Sequence, residues 1–431
     1  APDRLDPEGM SEAFRWHPEA RLFDSAGVEV TAQAPDAAIL PDTPQGLAAA
    51  LGHPAFRIGA PDQPPPDPHI QPVFETLTSG STGQSRRIRR TQASWTASFA
   101  VNARFGIGPG AHVAVLGRLI HSLSLYGAIE GLHLGAETHL LADLRPDRQR
   151  AALAQRQITH LYATPAQLRL IAEGQGQCHT LHLILVGGSK LDPALRAAIA
   201  TFAPNAQIRE FYGAAETSFI TLADETTPDI SVGRPYPGVE LTLDPNGEVW
   251  VRSPYLFLGY APSSIHICPN IPAGGASEPV ARPSRAEARQ EACAPALDST
   301  PTATGWRDGW LSVGEIGSME NGFLTLNGRA GRMVTVADQN VFPEEIETLL
   351  ATLPGITRAA VLPVPDAKRG HALVAVLQGD PAREGEILAV LRKNLGPLKS
   401  PKALIWREDW PTLPSGKTDL RALEANLTWP A

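Results

Sequence analysis

The chain has 431 residues, 43% of them apolar, and 37 basic against 45 acidic side chains leave a net charge of -8. That length exceeds one ordinary core and implies two or three domains, while the negative balance argues against broad binding to nucleic acid or anionic membrane and points to small metabolites. Cys178, Cys268 and Cys293 are odd in number and lack metal-ligand spacing, and no apolar run approaches the ~18 residues of a span, so neither a disulfide framework, a zinc site nor stable membrane insertion is indicated and a cytoplasmic setting is expected.

Residues 1–72 are rich in Pro and Ala, with one helical patch near Gly46 to Leu51, and end in the run PDQPPPDPHIQP. They read as a small N-terminal layer and an extended connector. There follows TSGSTGQSRRIRR from Thr78 to Arg90, small and hydroxyl residues set between an apolar stretch (Val73, Phe74, Leu77) and a run of arginines. Taken alone it fits a flexible linker with a solvated basic tail, or a phosphate cradle whose backbone N–H groups and hydroxyls approach an anion. From Phe74 to about Tyr212 short apolar strands (around His112 to Leu116, Thr138 to Leu141, Thr159 to Tyr162, Leu181 to Val186, Gln207 to Phe211) alternate with helical stretches (around Ala93 to Ala103, Leu123 to Leu134, Pro165 to Ala172, Pro193 to Phe202). This alternation predicts an α/β fold with a mostly parallel sheet flanked by helices, whose ligands collect at the carboxyl ends of the strands.

After Gly233 the pattern changes to short β segments, with DPNG at 244–247 marking a tight turn, and a small β subdomain is expected. Residues 262–304 are poor in large apolar side chains and dense in Pro and Ala, the composition of a mobile insertion. Past Gly328 a compact α+β unit is expected: a helix after Pro343, strands at Arg358 to Leu362 and Ala372 to Leu377, a helix over Pro381 to Leu395 and a strand near Ala403 to Trp406. The predicted domains are therefore residues 1–328 and 329–431.

TSGSTG is not a Walker-type loop, since Gly83 is followed by Gln84 and Ser85 instead of Lys and Ser/Thr. It is followed, in order, by GRLIHSLSLYG (117–127), LVGGSKLDP (185–193), FYGAAETSF (211–219), SVGRPYPGVE (231–240), GWLSVGEIG (309–317), NGRAGRMV (327–334), NVFPEEIE (340–347) and LPSGKTDLR (413–421). At this order and spacing the set resembles the adenylate-forming enzymes, among them acyl- and aryl-CoA synthetases, luciferases and peptide-synthetase adenylation domains, over roughly residues 74–423. The resemblance implies ATP-dependent conversion of a small carboxylic acid to an acyl- or aryl-adenylate with release of pyrophosphate, then transfer to CoA or another phosphopantetheine thiol, such as that of an acyl carrier protein. Because an anionic carboxylate meets an anionic triphosphate, the chemistry calls for cations and preorganised donors.

By the same resemblance Thr78, Ser79, Gly80, Ser81, Thr82 and Gly83 would hold the β- and γ-phosphates, with Arg86 where the family usually has lysine; Arg87, Arg89 and Arg90 are then expected to be solvated charges. Tyr212, Gly213, Ala214, Ala215 and Glu216 match the family's Tyr-Gly-x-Thr-Glu, implying adenine stacking by Tyr212 and magnesium binding by Glu216. Gly187 and Gly188 match a turn lying against nucleotide and acyl group. Glu315 stands where an aspartate accepts the ribose hydroxyls, Arg329 where an arginine contacts ribose or phosphate, and Arg332 at the hinge. His121 is expected to line the acyl pocket, together with Leu125, Tyr126, Gly131, Val186, Phe211, Ala214 and Phe219. Lys417, one of only six lysines, would bridge carboxylate and α-phosphate as a compact point charge.

The departures bear on activity. Ala215 removes a hydroxyl donor to the AMP phosphate, about 1.5 to 3 kcal/mol or roughly ten- to a hundredfold in rate. Glu315 for aspartate lengthens the arm by about 1.5 Å. Ala337, Asp338 and Gln339 replace the glycines of a loop that lines the thiol tunnel in the resembled family, and the stretch before the cradle is about half the family's usual length. No charged selector stands in the expected acyl pocket, which favours an apolar or aromatic acid. The reading from a different class is a degenerate nucleotide-binding protein without catalysis.

Overall fold

The structure, a computed structural model, describes residues 13–77, 86–261, 305–336, 339–366, 369–413 and 417–427. The expected cradle Thr78–Gly83, the expected insertion 262–304, and Ala337 and Asp338 lie outside the described residues.

In chain order the first part runs β1 (Arg21–Phe23), β2 (Glu29–Val30), β3 (Ile39–Leu40), α1 (Pro44–Ala50), β4 (Ala55–Ile58), β5 (Val73–Leu77), β6 (Arg87–Thr91), α2 (Ala93–Asn102), β7 (His112–Val115), α3 (Ser122–Leu134), β8 (Glu137–Leu140), α4 (Pro146–Gln155), β9 (His160–Ala163), α5 (Pro165–Ala172), β10 (Leu183–Val186), α6 (Pro193–Phe202), β11 (Gln207–Ala214), β12 (Ser218–Ala223) and β13 (Arg234–Pro235). A nine-stranded sheet in the order β13-β12-β11-β10-β9-β7-β8-β1-β2 forms the frame. It is parallel from β11 to β1, with antiparallel strands at both ends. Its central strands read as unbroken apolar runs because both faces are buried. Val113, Val115, Tyr162, Leu183 and Leu185 pack into one core with α2 and α3. The alternating Ala114, Leu161, Ala163, Ile184 and Val186 pack with α4, α5 and α6 on the other side. Helix α5 starts at a full capping box, Thr164 with Gln167, and α6 at the Asp192 cap.

Residues 13–77 are not a separate layer. β1 extends the large sheet beside β8, while β3, β4 and β5 join β6 in a second sheet ordered β16-β6-β5-β4-β3, where β16 is Gly259–Tyr260. In this second sheet the expectation of solvated arginines fails. Arg87 and Arg90 are buried, and Arg89 is 19% exposed. Polar acceptors are carried inward to meet them: Arg57 and Arg87 lie against Glu75 at 2.7 and 3.4 Å, and Arg57 also donates to the carbonyls of Ala60, Gln63 and Pro64. The Pro-rich run thus serves as a carbonyl lining for buried cations.

Between α2 and α3 a polar network is enclosed. Glu130 accepts from Asn102 at 2.9 Å and from Tyr126 and Tyr162, and Tyr126 reaches Ser98 at 2.7 Å. Burial pushes the Glu130 carboxyl up to about 8. A carboxyl raised in the folded state binds more protons than when unfolded, so its contribution to stability is complete below its unfolded value of 4.5 and is lost as pH rises through about 8. Denaturant midpoints at about pH 6 and about pH 9 should therefore differ, with the lower pH more stable, and Glu130→Gln should shrink that difference. An unchanged difference in the variant would assign the pH dependence elsewhere.

The next part contains β14 (Glu240–Leu243), β15 (Glu248–Arg252), β17 (Gly305–Arg307), β18 (Trp310–Glu320) and β19 (Phe323–Arg329), all in one sheet around the long β18. The C-terminal part holds β20 (Val334–Val336), β21 (Gln339–Val341), α7 (Pro343–Ala351), β22 (Ile356–Asp366), β23 (Gly370–Gly379), α8 (Glu384–Lys399), β24 (Ala403–Trp406) and α9 (Leu420–Ala425). Its three-stranded sheet and helices close over their own core, from Val336 to Leu404.

Candidate active site

The carboxyl ends of β10 and β11 supply the first wall. At β10 the chain turns through Gly187 and Gly188. A Cβ on Gly187 would lie 2.2 Å from the Phe211 ring, and Gly188 has φ +105, so this turn needs both glycines. Phe211 in turn lies 4.6 Å from Phe219. At the end of β11 a register shift at Tyr212/Gly213 opens the loop that leads to Glu216. A Cβ on Gly213 would stand 1.8 Å from the Ser218 carbonyl. The loop is held from inside by buried Thr217, whose hydroxyl accepts from the Ala214 N–H at 3.0 Å. That hydroxyl is therefore committed to the loop backbone and does not replace the donor missing at Ala215.

Glu216 is half-buried, and its carboxylate accepts from the Tyr260 hydroxyl at 2.7 Å. Pairing of β16 with β6 brings Tyr260 there, and the Arg86 guanidinium lies over the Tyr260 ring at 5.1 Å. Arg90, beneath the loop, donates to the Ala215 carbonyl at 2.6 Å and to the Tyr255 carbonyl. Burial pulls its guanidinium down to about 9, against the Glu216 carboxylate. Arg90 thus ties β6 to both segments that flank Glu216. Neither Tyr260 nor Arg90 was expected at the site: Arg90 closes the arginine run and reads as a solvated charge, Tyr260 lies in no motif, and the partners of both are far away in sequence.

For Arg90→Leu the Ala215 and Tyr255 carbonyls lose a charged donor. The expected result is a tenfold to hundredfold fall in ATP-dependent turnover, using about 1.5 to 3 kcal/mol for a hydrogen bond to a charged group. Steady-state kinetics in ATP and in magnesium check this, with Arg90→Lys recovering part of the loss; unchanged kinetics in a folded Arg90→Leu protein would show that the loop holds itself.

Cross-strand register in β18 and β19 sets Glu315 opposite Arg329, and the Arg329 Nε donates to the Glu315 carboxylate at 2.9 Å. Tyr212 lies beside this pair: burial and then the Glu315 charge push its phenol far up, and its hydroxyl is buried without a hydrogen-bond partner among the described residues. Lys417 enters the same cleft from the C-terminal part. Its loop is fixed at the base by Leu413 N–H to the Lys417 carbonyl, 2.8 Å, by a Thr412–Thr418 bridge, and by Trp410 donating to Thr418 at 3.1 Å. The Lys417 side chain keeps solvent access. Desolvation by the enclosing protein nonetheless holds its ammonium below the usual lysine range, Arg329 pushes the same way, and Glu315 and Glu216 oppose both.

His121 stands at the start of α3. A parallel bridge joins it to Leu77, the last described residue before Thr78, so the expected cradle begins beside α3. Burial holds its imidazole below the usual histidine range in spite of Asp42. Tyr212, Glu216, Glu315, Arg329 and Lys417 are thus brought together, with Gly187 adjoining through Phe211.

Arg332 stands apart, inside the C-terminal part, where it pairs with Glu344 at 3.1 Å and Glu347 at 2.8 Å and donates to the Val361 carbonyl. The structure gives it internal anchoring and no place among the nucleotide candidates. Two of the expected acyl-pocket residues also fall elsewhere. Gly131 packs helix on sheet, where a Cβ would meet the Thr138 hydroxyl at 2.4 Å, and Val186 belongs to the core on the opposite face from Phe219.

Family comparison identifies what the chain is similar to. The AMP-binding enzyme family model matches residues 17–261, and the model of the AMP-binding enzyme C-terminal domain matches residues 345–417. An uncharacterised acyl-CoA ligase of Bacillus subtilis is 29% identical over 361 residues, covering 80% of this chain and 67% of the relative. Among solved structures, the amide bond synthetase McbA from Marinactinospora thermotolerans superposes with a TM-score of 0.67 at 24% identity, covering 90% of this chain and 80% of that one. The o-succinylbenzoate CoA synthetase MenE of B. subtilis gives 0.64 at 21% identity, covering 81% and 68%. With both family models placed on the two parts that meet at Lys417, the chain belongs to the AMP-binding enzymes, the adenylate-forming superfamily of acid-thiol ligases.

Proposed function

We propose that this chain activates a carboxylic acid as its acyl- or aryl-adenylate at the expense of ATP and passes the acyl group to a phosphopantetheine thiol, CoA in the first instance. The observation that carries the reading is the entry of Lys417, from the C-terminal part, into the cleft formed by Glu216, Glu315 and Arg329. A role in nucleotide binding alone has no need of a mobile cation between the reacting groups. In this reading Lys417 bridges the acid and the α-phosphate and offsets charge that builds in the transition state. Tyr212 stacks on adenine. Glu315, released from Arg329, accepts from ribose hydroxyls while Arg329 turns to phosphate or ribose, and Thr78–Gly83 with Arg86 hold the outer phosphates.

Glu216 suits magnesium: it offers hard oxygen donors, and Tyr260 orients the carboxylate from one side. When bound, the ion neutralises phosphate charge. His121, kept neutral by its surroundings, borders the acyl side. The C-terminal part, from about Arg329, then rotates between half-reactions, with Arg332 carried along by its own ion pairs.

The test is pyrophosphate release from ATP over a panel of aliphatic and aryl acids, with hydroxylamine as acceptor, followed by a contest between CoA and a holo acyl carrier protein. Acid-dependent release supports adenylation, and turnover with the carrier protein alone would move the acceptor assignment to it. ATP binding with no release for any acid would favour a nucleotide-binding role without catalysis, which Ala215 makes the second reading.

A further inference from the structure

Far from the cleft, at the opposite edge of the large sheet, three side chains with metal-binding atoms gather on one face. Parallel register sets His112 of β7 opposite Glu137 of β8, and the two-residue period of the strand puts His139 on the same face as Glu137. One ligand atom from each of His112, Glu137 and His139 lies within 4.8 Å of the others. His139 is the informative member. Its ring is 4% exposed, stacked on Phe23 at 4.8 Å, and neither ring nitrogen has a hydrogen-bond partner among the described residues. A buried imidazole with both nitrogens unmet carries an uncompensated desolvation cost. An ion held by one nitrogen removes part of it.

The other two groups already have the outer partners that metal ligands need. The Nδ1 of His112 lies 3.0 Å from the Arg156 carbonyl, which as an acceptor fixes the proton on Nδ1 and leaves the Nε2 lone pair free. Arg21 donates to one oxygen of Glu137 at 3.1 Å, which orients that carboxylate and leaves its second oxygen. Arg21 also pairs with Glu29 at 2.8 Å, and the Arg156 guanidinium is spent on the carbonyls of Asp24 and Ser25. The cationic neighbours are therefore committed, and the half-buried His112 and Glu137 give the ion a way in from solvent.

We propose that His112, Glu137 and His139 form a site for a zinc-class divalent ion, two imidazoles and one carboxylate with a fourth position left to water. Tetrahedral bonds of about 2.0 to 2.2 Å place ligand atoms roughly 3.3 to 3.6 Å apart, so the group contracts by up to about 1.5 Å on binding. The ion would fasten β7 to β8, the pair on which β1 packs through Arg21 and Phe23.

The experiment titrates the metal-free full chain with Co2+ and with Zn2+. The expected result is one equivalent of Co2+ with the intense visible absorption of a tetrahedral ion, displaced by Zn2+, and a melting temperature raised by Zn2+. His112→Gln and Glu137→Gln, both at half-buried positions, should each weaken binding at least tenfold and abolish the thermal shift, while Glu216→Gln keeps both. His139→Gln serves as a third variant where it folds. Absence of the tetrahedral band in the wild-type chain, binding unchanged in His112→Gln and Glu137→Gln, or a band lost in Glu216→Gln would each overturn the proposal.

Discussion

Lys417→Ala is expected to lower acid-dependent pyrophosphate release by about 10²- to 10³-fold, the cost of removing one preorganised transition-state donor, with little change in the ATP concentration for half-saturation. The physical reason is that the ammonium lies within electrostatic reach of Arg329, Glu315 and Glu216. Interactions that strengthen as charge shifts from carboxylate to phosphate act on the rate, while ground-state binding rests with other groups. The variant should also be at least as stable as the parent. A lysine whose ammonium is held below its usual range binds fewer protons folded than unfolded, so stability associated with it rises with pH through that range, and removing it lifts a cost. The same depression predicts that activity falls on the alkaline side sooner than for a lysine with the usual value, because the bridging cation deprotonates earlier. Lys417→Arg should recover little, since a planar fork does not replace a compact charge. Radiolabelled pyrophosphate exchange with urea titration measures both quantities; full activity in Lys417→Ala would remove the lysine from the chemistry.

Glu75→Ala is expected to cost about 3 to 5 kcal/mol of folding stability, the range for stripping one partner from a buried ion pair. Two guanidiniums converge on this carboxylate, and all three side chains are nearly inaccessible, at 0%, 2% and 6% for Arg57, Glu75 and Arg87. Their carbonyl partners offset dipoles but not net charge, so the variant leaves two cations inside a sheet. Glu75→Gln keeps the shape and should lose less. Because Glu75 precedes Leu77 by two positions and Arg87 follows Arg86, the same change should weaken ATP binding. Denaturant midpoints and ATP titrations of the variants decide this, and a loss below about 1 kcal/mol would mean that water reaches the triad.

The parallel sheet was the most legible part of the molecule. Strands buried on both faces write themselves as short apolar runs, and those around His112, His160, Leu183 and Gln207 begin within two residues of their expected starts. Helix α4, PDRQRAALAQ, was not foreseen. It buries only Gln149, Ala152 and Leu153, too few for an apolar stripe to register. The arginines of β6 were misread for a related reason. A run of charges ordinarily signals solvent, and the acceptors that bury these lie at Glu75, Pro64, Ala215 and Tyr255, outside any local window.

Among the candidate site residues, those carried by motifs are the ones the sequence brings forward, because each motif has its own local pattern. Gly213 and the Lys417 segment are fixed by residues within about eight positions, while Gly187 is fixed by Phe211 on the next strand. The residues that hold them, Arg90 and Tyr260, act across 125 and 44 positions of sequence, and such distances leave no local trace.

The backbone bridge between Leu77 and His121 has one more consequence. It joins the end of the second sheet to the start of α3, so displacement of one element is carried to the other through the backbone. In the proposed reaction the segment running on from Leu77 and the start of α3 would therefore shift together, and a substitution at either end of the bridge would be felt at the other.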